Sequence, residues 1–410
     1  MTSPAPTEFR YWHQLPRPWA RAVRALGRAA LGFDPAPPDD VVRAFAAAYY
    51  DADPLAEAVV DELYLAGDPA RGRAAFEQAL TAGVGPDAPA TLRALFADLD
   101  AAPPWLDRAR LAHGAKVFRR YGADMFRFAG AITLAGYAEN SVAKPLALTG
   151  AYAGASTRRR FLETVAFWIA VSEPDGLAPG AAGRASALRV RMMHVFVRRR
   201  LAAHPEWDAA AWGVPISQAD ALLTILGGSF APGYALRALG YRPTTADIEA
   251  MLHFWRYVGH LMGVRPRWFP TTVRDCWQLA FVTLVKGARA AGADGVSLCQ
   301  SYVDAFAPAA ELPWRARPAA WWSHGLHRGF TRVFLPPPAY AANRLPSAGL
   351  WPLAVLAPAP LRFAAETLRR ALPPLDAVAD RVARRQRARW FARHMGDRAA
   401  EYRPAERFTR

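Results

Sequence analysis

Arg191, His194 and Arg198 stand at i, i+3 and i+7 in the run Arg191-Met192-Met193-His194-Val195-Phe196-Val197-Arg198. On a helix this spacing sets one imidazole between two guanidinium groups on a single face. The other positions of the segment, from Leu188 to Leu201, are mostly Leu, Val, Met and Phe. A helix apolar almost all round is a buried one. Buried guanidinium groups require anions, and a buried imidazole requires a partner. A haem would satisfy all three, with iron on His194 and propionates or other acceptors for Arg191 and Arg198. Acidic side chains from neighbouring helices would satisfy the arginines as well, and His194 could be an ordinary core histidine. Both readings stay open on the residues alone.

A second constellation is Arg160, Glu163 and Thr164, at i, i+3 and i+4 on one face of a segment whose other positions include Phe161, Leu162, Val165, Trp168 and Ile169. The bland reading is a helix-surface ion pair worth about 0.3–0.5 kcal/mol. The functional one puts Arg160 and Thr164 beside a buried cofactor, with Glu163 as an acid/base or iron ligand. Two further histidine groups, His253/Arg256/His260 and His324/His327, have helical spacing but neither the HExxH form nor a carboxylate at metal spacing. Core packing is the simpler account of each. The sequence contains no GxSxG elbow, phosphate-binding P-loop, dinucleotide fingerprint or Cys/His nucleophile pair. Serine hydrolase, kinase and Rossmann dehydrogenase are therefore poor readings.

The elements that must position these residues are helices. Alanine is abundant and alternating β-branched runs are rare, which predicts an all-α fold. Helices are expected over about 111–128, 157–172 and 184–203, the last ended by Pro205. Ser217-Gln218-Ala219-Asp220 and Thr244-Thr245-Ala246-Asp247 read as capping boxes opening two more, with Gly263 terminating the second. Proline clusters mark joints at 34–40, 101–105, 335–338 and 351–374. The 410 residues are read as one elaborated helical domain, with a core over 105–300 and accessory helical segments over 1–104 and 301–410.

Hydrophobic residues make up 52% of the chain, enough for a substantial core, and two cysteines give no disulfide framework. No export signal and no run of about 18 uninterrupted apolar residues is visible, so a cytoplasmic protein without a transmembrane segment is expected. The net charge of +16 comes almost wholly from arginines scattered through the chain, which argues against nucleic acid as a partner. The densest stretch, Arg381 to Arg410, reads first as a solvated helix face. Its alternative is a peripheral contact with a membrane surface or an acidic partner.

The chain resembles the MpaB/rubber oxygenase catalytic domain family, which includes the latex clearing proteins. The residues that carry the resemblance are Arg191-x-x-His194-x-x-x-Arg198, Trp212-Gly213-Val214-Pro215-Ile216, Leu148-Thr149-Gly150, Arg160-x-x-Glu163-Thr164 and Tyr257-Val258-Gly259-His260-Leu261-Met262-Gly263. They span about 110–265. The resemblance implies an all-helical fold with a globin-like core holding haem b, His194 as proximal iron ligand, and Arg191 and Arg198 securing the haem environment. Arg160 and Thr164 match positions in the family's haem-pocket helix. In the rubber cleavers a lysine precedes that threonine and can take the sixth iron position; here the residue is Glu163, and Lys116 and Lys144 stand elsewhere. The secreted rubber cleavers also carry export signals, so extracellular polyisoprene is not the expected substrate. The reading that follows is a haem-b-dependent oxygenase acting with dioxygen on a hydrophobic, unsaturated small molecule. A haem dehydrogenase, peroxidase or hydroxylase, a haem protein without turnover, and a cofactor-free membrane-surface scaffold are its alternatives.

Overall fold

Alanine-rich segments capped by Asp, Ser and Thr give helices from end to end: among the described residues every regular element is a helix and none is a strand. The structure is a computed structural model describing residues 5–150, 156–287, 291–309 and 311–396. An N-terminal helix α1 (Pro54–Val60) starts at Asp53, whose side chain caps Ala56 N. The centre is built from α2 (Arg108–Arg120), α3 (Gly122–Gly136), α4 (Asn140–Thr149), α5 (Ser156–Ser172), α6 (Ala182–Ala202), α7 (Gln218–Gly228) and α8 (Thr245–Leu261). It is completed by α9 (Gly292–Asp304), α10 (Arg317–Phe334), α11 (Trp351–Leu356), α12 (Ala359–Ala371) and α13 (Pro374–Met395). One continuous hydrophobic core runs through these elements, from Phe9 to Met395.

Helix α6 lies against α5 and α1, and α8 packs along α2. The α2–α8 contact is close because Gly114 has no side chain: a Cβ there would fall 1.9 Å from Ala250 O. The expected helices over 157–172 and 184–203 correspond to α5 and α6. At α8 both bonds of the capping box form between Thr244 and Asp247, and Gly263 follows the helix in the left-handed region with φ 79°.

Several expectations change. The helix expected over 111–128 is two helices, α2 and α3, because Gly122 takes φ 56° and turns the chain between them. At α7 Ser217 caps Asp220 N as expected, but the Asp220 carboxylate accepts from Ser217 Oγ and from Ser141 Oγ of α4 rather than closing a box. The segment Gln218–Leu239 is long and apolar enough to cross a membrane by length and composition. Half of it is buried in the fold, where α7 packs on α8. The basic C-terminal helix α13 is not simply a solvated face. Arg387 is buried, donates to Ser172 Oγ at 2.6 Å and lies over the Phe118 and Phe126 rings, while Arg384 pairs with Glu173. The part of the dense arginine stretch beyond residue 396 lies outside the described residues.

Candidate active site

Four elements meet at the middle of α6. Arg191, His194 and Arg198 line a cleft together with Asp53 at the start of α1, Ile216, Ser217, Gln218 and Ala221 at the start of α7, and Met262, Gly263 and Val264 after α8. The cleft is narrow and partly open to solvent. The i, i+3, i+7 spacing does place the imidazole and both guanidinium groups on one face.

The arginines, however, find their anions inside the protein. Arg191 is 1% exposed, and its Nε and Nη2 donate to the two Asp53 oxygens at 2.7 and 2.8 Å. Arg198 Nη1 donates to Glu57 Oε1 at 3.2 Å, while its Nε and Nη2 donate to Pro215 O and Ile216 O at 3.0 and 2.8 Å. Of the two partners left open by the sequence, the structure supplies acidic side chains: each guanidinium has a carboxylate partner from α1 or its cap. The Trp212–Ile216 motif acquires a structural meaning, since its last two carbonyls receive Arg198. Ile216 adopts φ 52°, a strained conformation for a β-branched residue, at the edge of the cleft.

Asp53, Glu57 and Gln218 were not legible as site residues. Asp53 is 138 positions from Arg191 in sequence, and no local pattern signals such a pairing. Gln218 Nε2 donates to Ala52 O and Gly263 O, and its Oε1 accepts from Arg265 N, joining three cleft walls. Gly263, expected only as a helix terminator, also lets the chain pass the ion pair. A Cβ there would fall 2.1 Å from Asp53 Oδ2 and 2.8 Å from Arg191 Nε.

His194 differs from its neighbours. It makes no hydrogen bond among the described residues. Protein atoms crowd it, yet it keeps partial exposure through the cleft. Burial first, and the Arg198 charge second, pull its pKa down to about 4, against the Asp53 carboxylate, which raises it. At neutral pH the imidazole is therefore uncharged, the form that ligates a metal.

Arg160, Glu163 and Thr164 lie on α5 and form a cluster separate from the cleft lining. Glu163 is buried and accepts from Arg159 Nε at 3.2 Å and Arg160 Nη1 at 3.1 Å, while Thr164 Oγ1 donates to Arg160 O. The other histidines have core surroundings. His253 bonds to the Asp107 backbone, Arg256 stacks over Trp105, and His260 stacks on Tyr257. His327 stacks on Phe306 at 3.7 Å between ring centroids.

Among the described residues no group of three or more His, Cys, Asp and Glu could hold a bare metal ion. A single neutral imidazole with no hydrogen-bond partner among the described residues is instead a donor that would hold the iron of a haem. The donor chemistry of the site fits haem, which His194 would hold. The cleft is narrow, with room for about one water molecule, so the fit concerns the His194 donor and not a preformed cavity.

Comparison with known proteins decides the family. The family model described as the ER-bound oxygenase mpaB/B' and rubber oxygenase catalytic domain matches residues 118–398. The chain belongs to this family. The rubber oxygenase of Streptomyces sp. (strain K30) is 29% identical over 229 residues, which cover 54% of this chain and 54% of that protein. The chain thus spans about half the length of this curated relative in the match. The structure of the latex clearing protein LCP in the closed state superimposes with a TM-score of 0.61 at 22% identity, covering 83% of this chain and 91% of the other. That likeness is one of fold, and the helical architecture is shared.

The MpaB/rubber oxygenase domain runs well past residue 265, where the residues quoted from sequence stop, and takes in α10 to α13. It begins after α1. The carboxylates that hold Arg191 and Arg198 therefore come from outside the matched domain.

Proposed function

We propose that this chain is a haem-b-dependent oxygenase that acts with dioxygen on a hydrophobic, unsaturated small molecule by cleaving a carbon–carbon double bond. The observation that carries the reading is His194, a neutral imidazole without a hydrogen-bond partner, facing a cleft between two arginines whose charges are already matched. The family relationship supports the oxygenase class, and relatives named for rubber and latex support an apolar substrate. Haem supplies the redox chemistry that amino-acid side chains lack.

The chain's own residues have distinct tasks in this reading. His194 offers iron its free ring nitrogen. The Arg191–Asp53 and Arg198–Glu57 pairs fix the face of α6 on which the imidazole stands, so its direction is set before any ligand binds. Met262, Val264 and Ile216 contribute an apolar wall that limits water. Arg160, Glu163 and Thr164 enter through the family resemblance, as groups on the helix packed beside α6. Glu163→Gln is expected to lower turnover while haem stays bound; unchanged turnover would remove its acid/base role.

The test is the visible absorption spectrum and pyridine haemochrome of wild type and His194→Ala, followed by product analysis under labelled dioxygen. The expected result is a stoichiometric haem b signal, lost or strongly altered in the variant, with label in the products of an unsaturated substrate. A protein that takes up no haem on reconstitution overturns the reading. Haem binding without label in any product assigns the site to another haem function.

A further inference from the structure

The amphipathic helix α12 is mounted with its polar side inward. Glu366 is 7% exposed and accepts from Arg369 Nε and Nη2 at 3.1 Å each, and Arg369 Nη1 reaches Asp376. Arg362 turns inward as well, pairing with Asp124 at 2.9 Å and donating to Leu239 O. One stripe carries Leu361 at 78% exposure with Leu368 and Leu372 about half exposed, while Phe363, on another side of the helix, is half exposed beneath the Arg242 guanidinium. Two residues earlier in the chain ends α11, preceded by Leu350 at 79% exposure and carrying the exposed Leu353. Helix α11 is seated on α10 by Trp351, which occupies the space left by Gly325 and Gly329. This sets Trp322, itself exposed, 5.3 Å from Trp351 between ring centroids, with the exposed Trp321 next to it in sequence. Large apolar side chains from three neighbouring helices therefore face away from the core, where a soluble surface scatters them singly.

The charge of the stretch that carries this face is one-sided. Residues 312–396 contain fourteen arginines and three acidic residues. All three acids, Glu366, Asp376 and Asp380, are occupied in ion pairs. Arg315, Arg332, Arg344 and Arg370 are exposed and have no carboxylate partner among the described residues. Exposed leucines on α11 and α12, tryptophans on α10 and exposed arginines of the same stretch without a carboxylate partner among the described residues match the chemistry of an anionic bilayer surface: apolar chains below, headgroup-level indoles, and lipid phosphates for the guanidinium groups.

We propose that the face formed by α11, α12 and the start of α10 docks this protein on an anionic lipid bilayer. The membrane contact considered from sequence for the basic C-terminal helix thus shifts to α11 and α12, since α13 turns part of its charge inward. The inference is independent of the haem reading. An apolar substrate dissolved in the same bilayer would be delivered beside the protein.

The test is flotation of the full-length protein with phosphatidylcholine vesicles, with and without phosphatidylglycerol. Binding is expected with phosphatidylglycerol, weakened by added salt. Leu361→Glu/Leu368→Glu is expected to reduce it by at least about tenfold with an unchanged circular dichroism spectrum, because both side chains are exposed. Leu26→Glu, at an exposed leucine of the helix Pro18–Leu31, serves as a control expected to bind like wild type. Absence of binding, or equal binding by the double variant, overturns the proposal. A concentration-dependent dimer in light scattering that the double variant abolishes, without vesicle binding, assigns the face to a second copy of the chain instead.

Discussion

At the scale of single residues, the site is held by two ion pairs that sequence proximity does not suggest, and Arg191–Asp53 is the more deeply buried. Removing the carboxylate of Asp53 leaves Arg191 charged, buried and unmatched, so Asp53→Ala is expected to cost about 3–5 kcal/mol in urea unfolding. Pairing it with Arg191→Met removes the stranded charge and should recover much of that loss. Additive losses in this double-mutant cycle would show that the pair is not coupled. Gly263→Ala should be destabilising for a different reason: the position combines φ 79° with an approach of 2.1 Å between the added Cβ and Asp53 Oδ2. The His194 face was legible because helical periodicity is a local property. Its carboxylate partners were not, because they arrive from another part of the chain.

At the scale of elements, close helix packing depends on where side chains are absent. Gly114→Ala would drive a methyl into the Ala250 carbonyl across the α2–α8 contact. We expect a loss on the order of 1–3 kcal/mol, read as a lowered melting temperature, despite the better helix propensity of alanine. An unchanged or raised melting temperature would mean that the two helices separate without cost. Helix existence was readable from alanine content, capping residues and prolines, and α5, α6 and α8 fall where those signals put them. The break between α2 and α3 was not readable, because a glycine inside an apolar run is compatible with both a continuous helix and a turn. Nor does an amphipathic pattern say which side faces inward. In α12 the interior supplies Asp124, Leu239 O and Arg120 as polar partners, and the apolar side is left outside.

At the scale of the whole molecule, buried neutral histidines link folding to pH. Burial chiefly holds His260 and His394 down to about 4 and keeps His327 well below its ordinary value. In the unfolded chain they titrate near 6.5. Between these values the unfolded state binds more protons, so stability rises with pH across the window and is lost as pH falls from about 6.5 towards 4. Asp220 acts in the opposite sense, since burial raises its pKa to about 6 and the folded state is then the one that holds the extra proton. His194, His253 and His324 are lowered in the same sense, so the histidines outweigh the one carboxyl. The melting temperature is expected to fall by several degrees, in order of magnitude, between about pH 7 and pH 4.5, with a shallower fall in His394→Asn. A flat profile would show that these rings protonate without unfolding the protein.

The sequence by itself determined the helical class, the extents of α5, α6 and α8, the alignment of Arg191, His194 and Arg198 on one face, and the family resemblance. These follow from propensity, periodicity and short motifs, which act over a few residues. The tertiary structure decided that Asp53 and Glu57 take up the arginine charges, that His194 is left without a hydrogen bond beside the cleft, that Arg160, Glu163 and Thr164 form their own cluster, and that α12 presents leucines outward. Each of these depends on which distant segments are brought together, and a buried charge is matched by whatever group the fold places within reach.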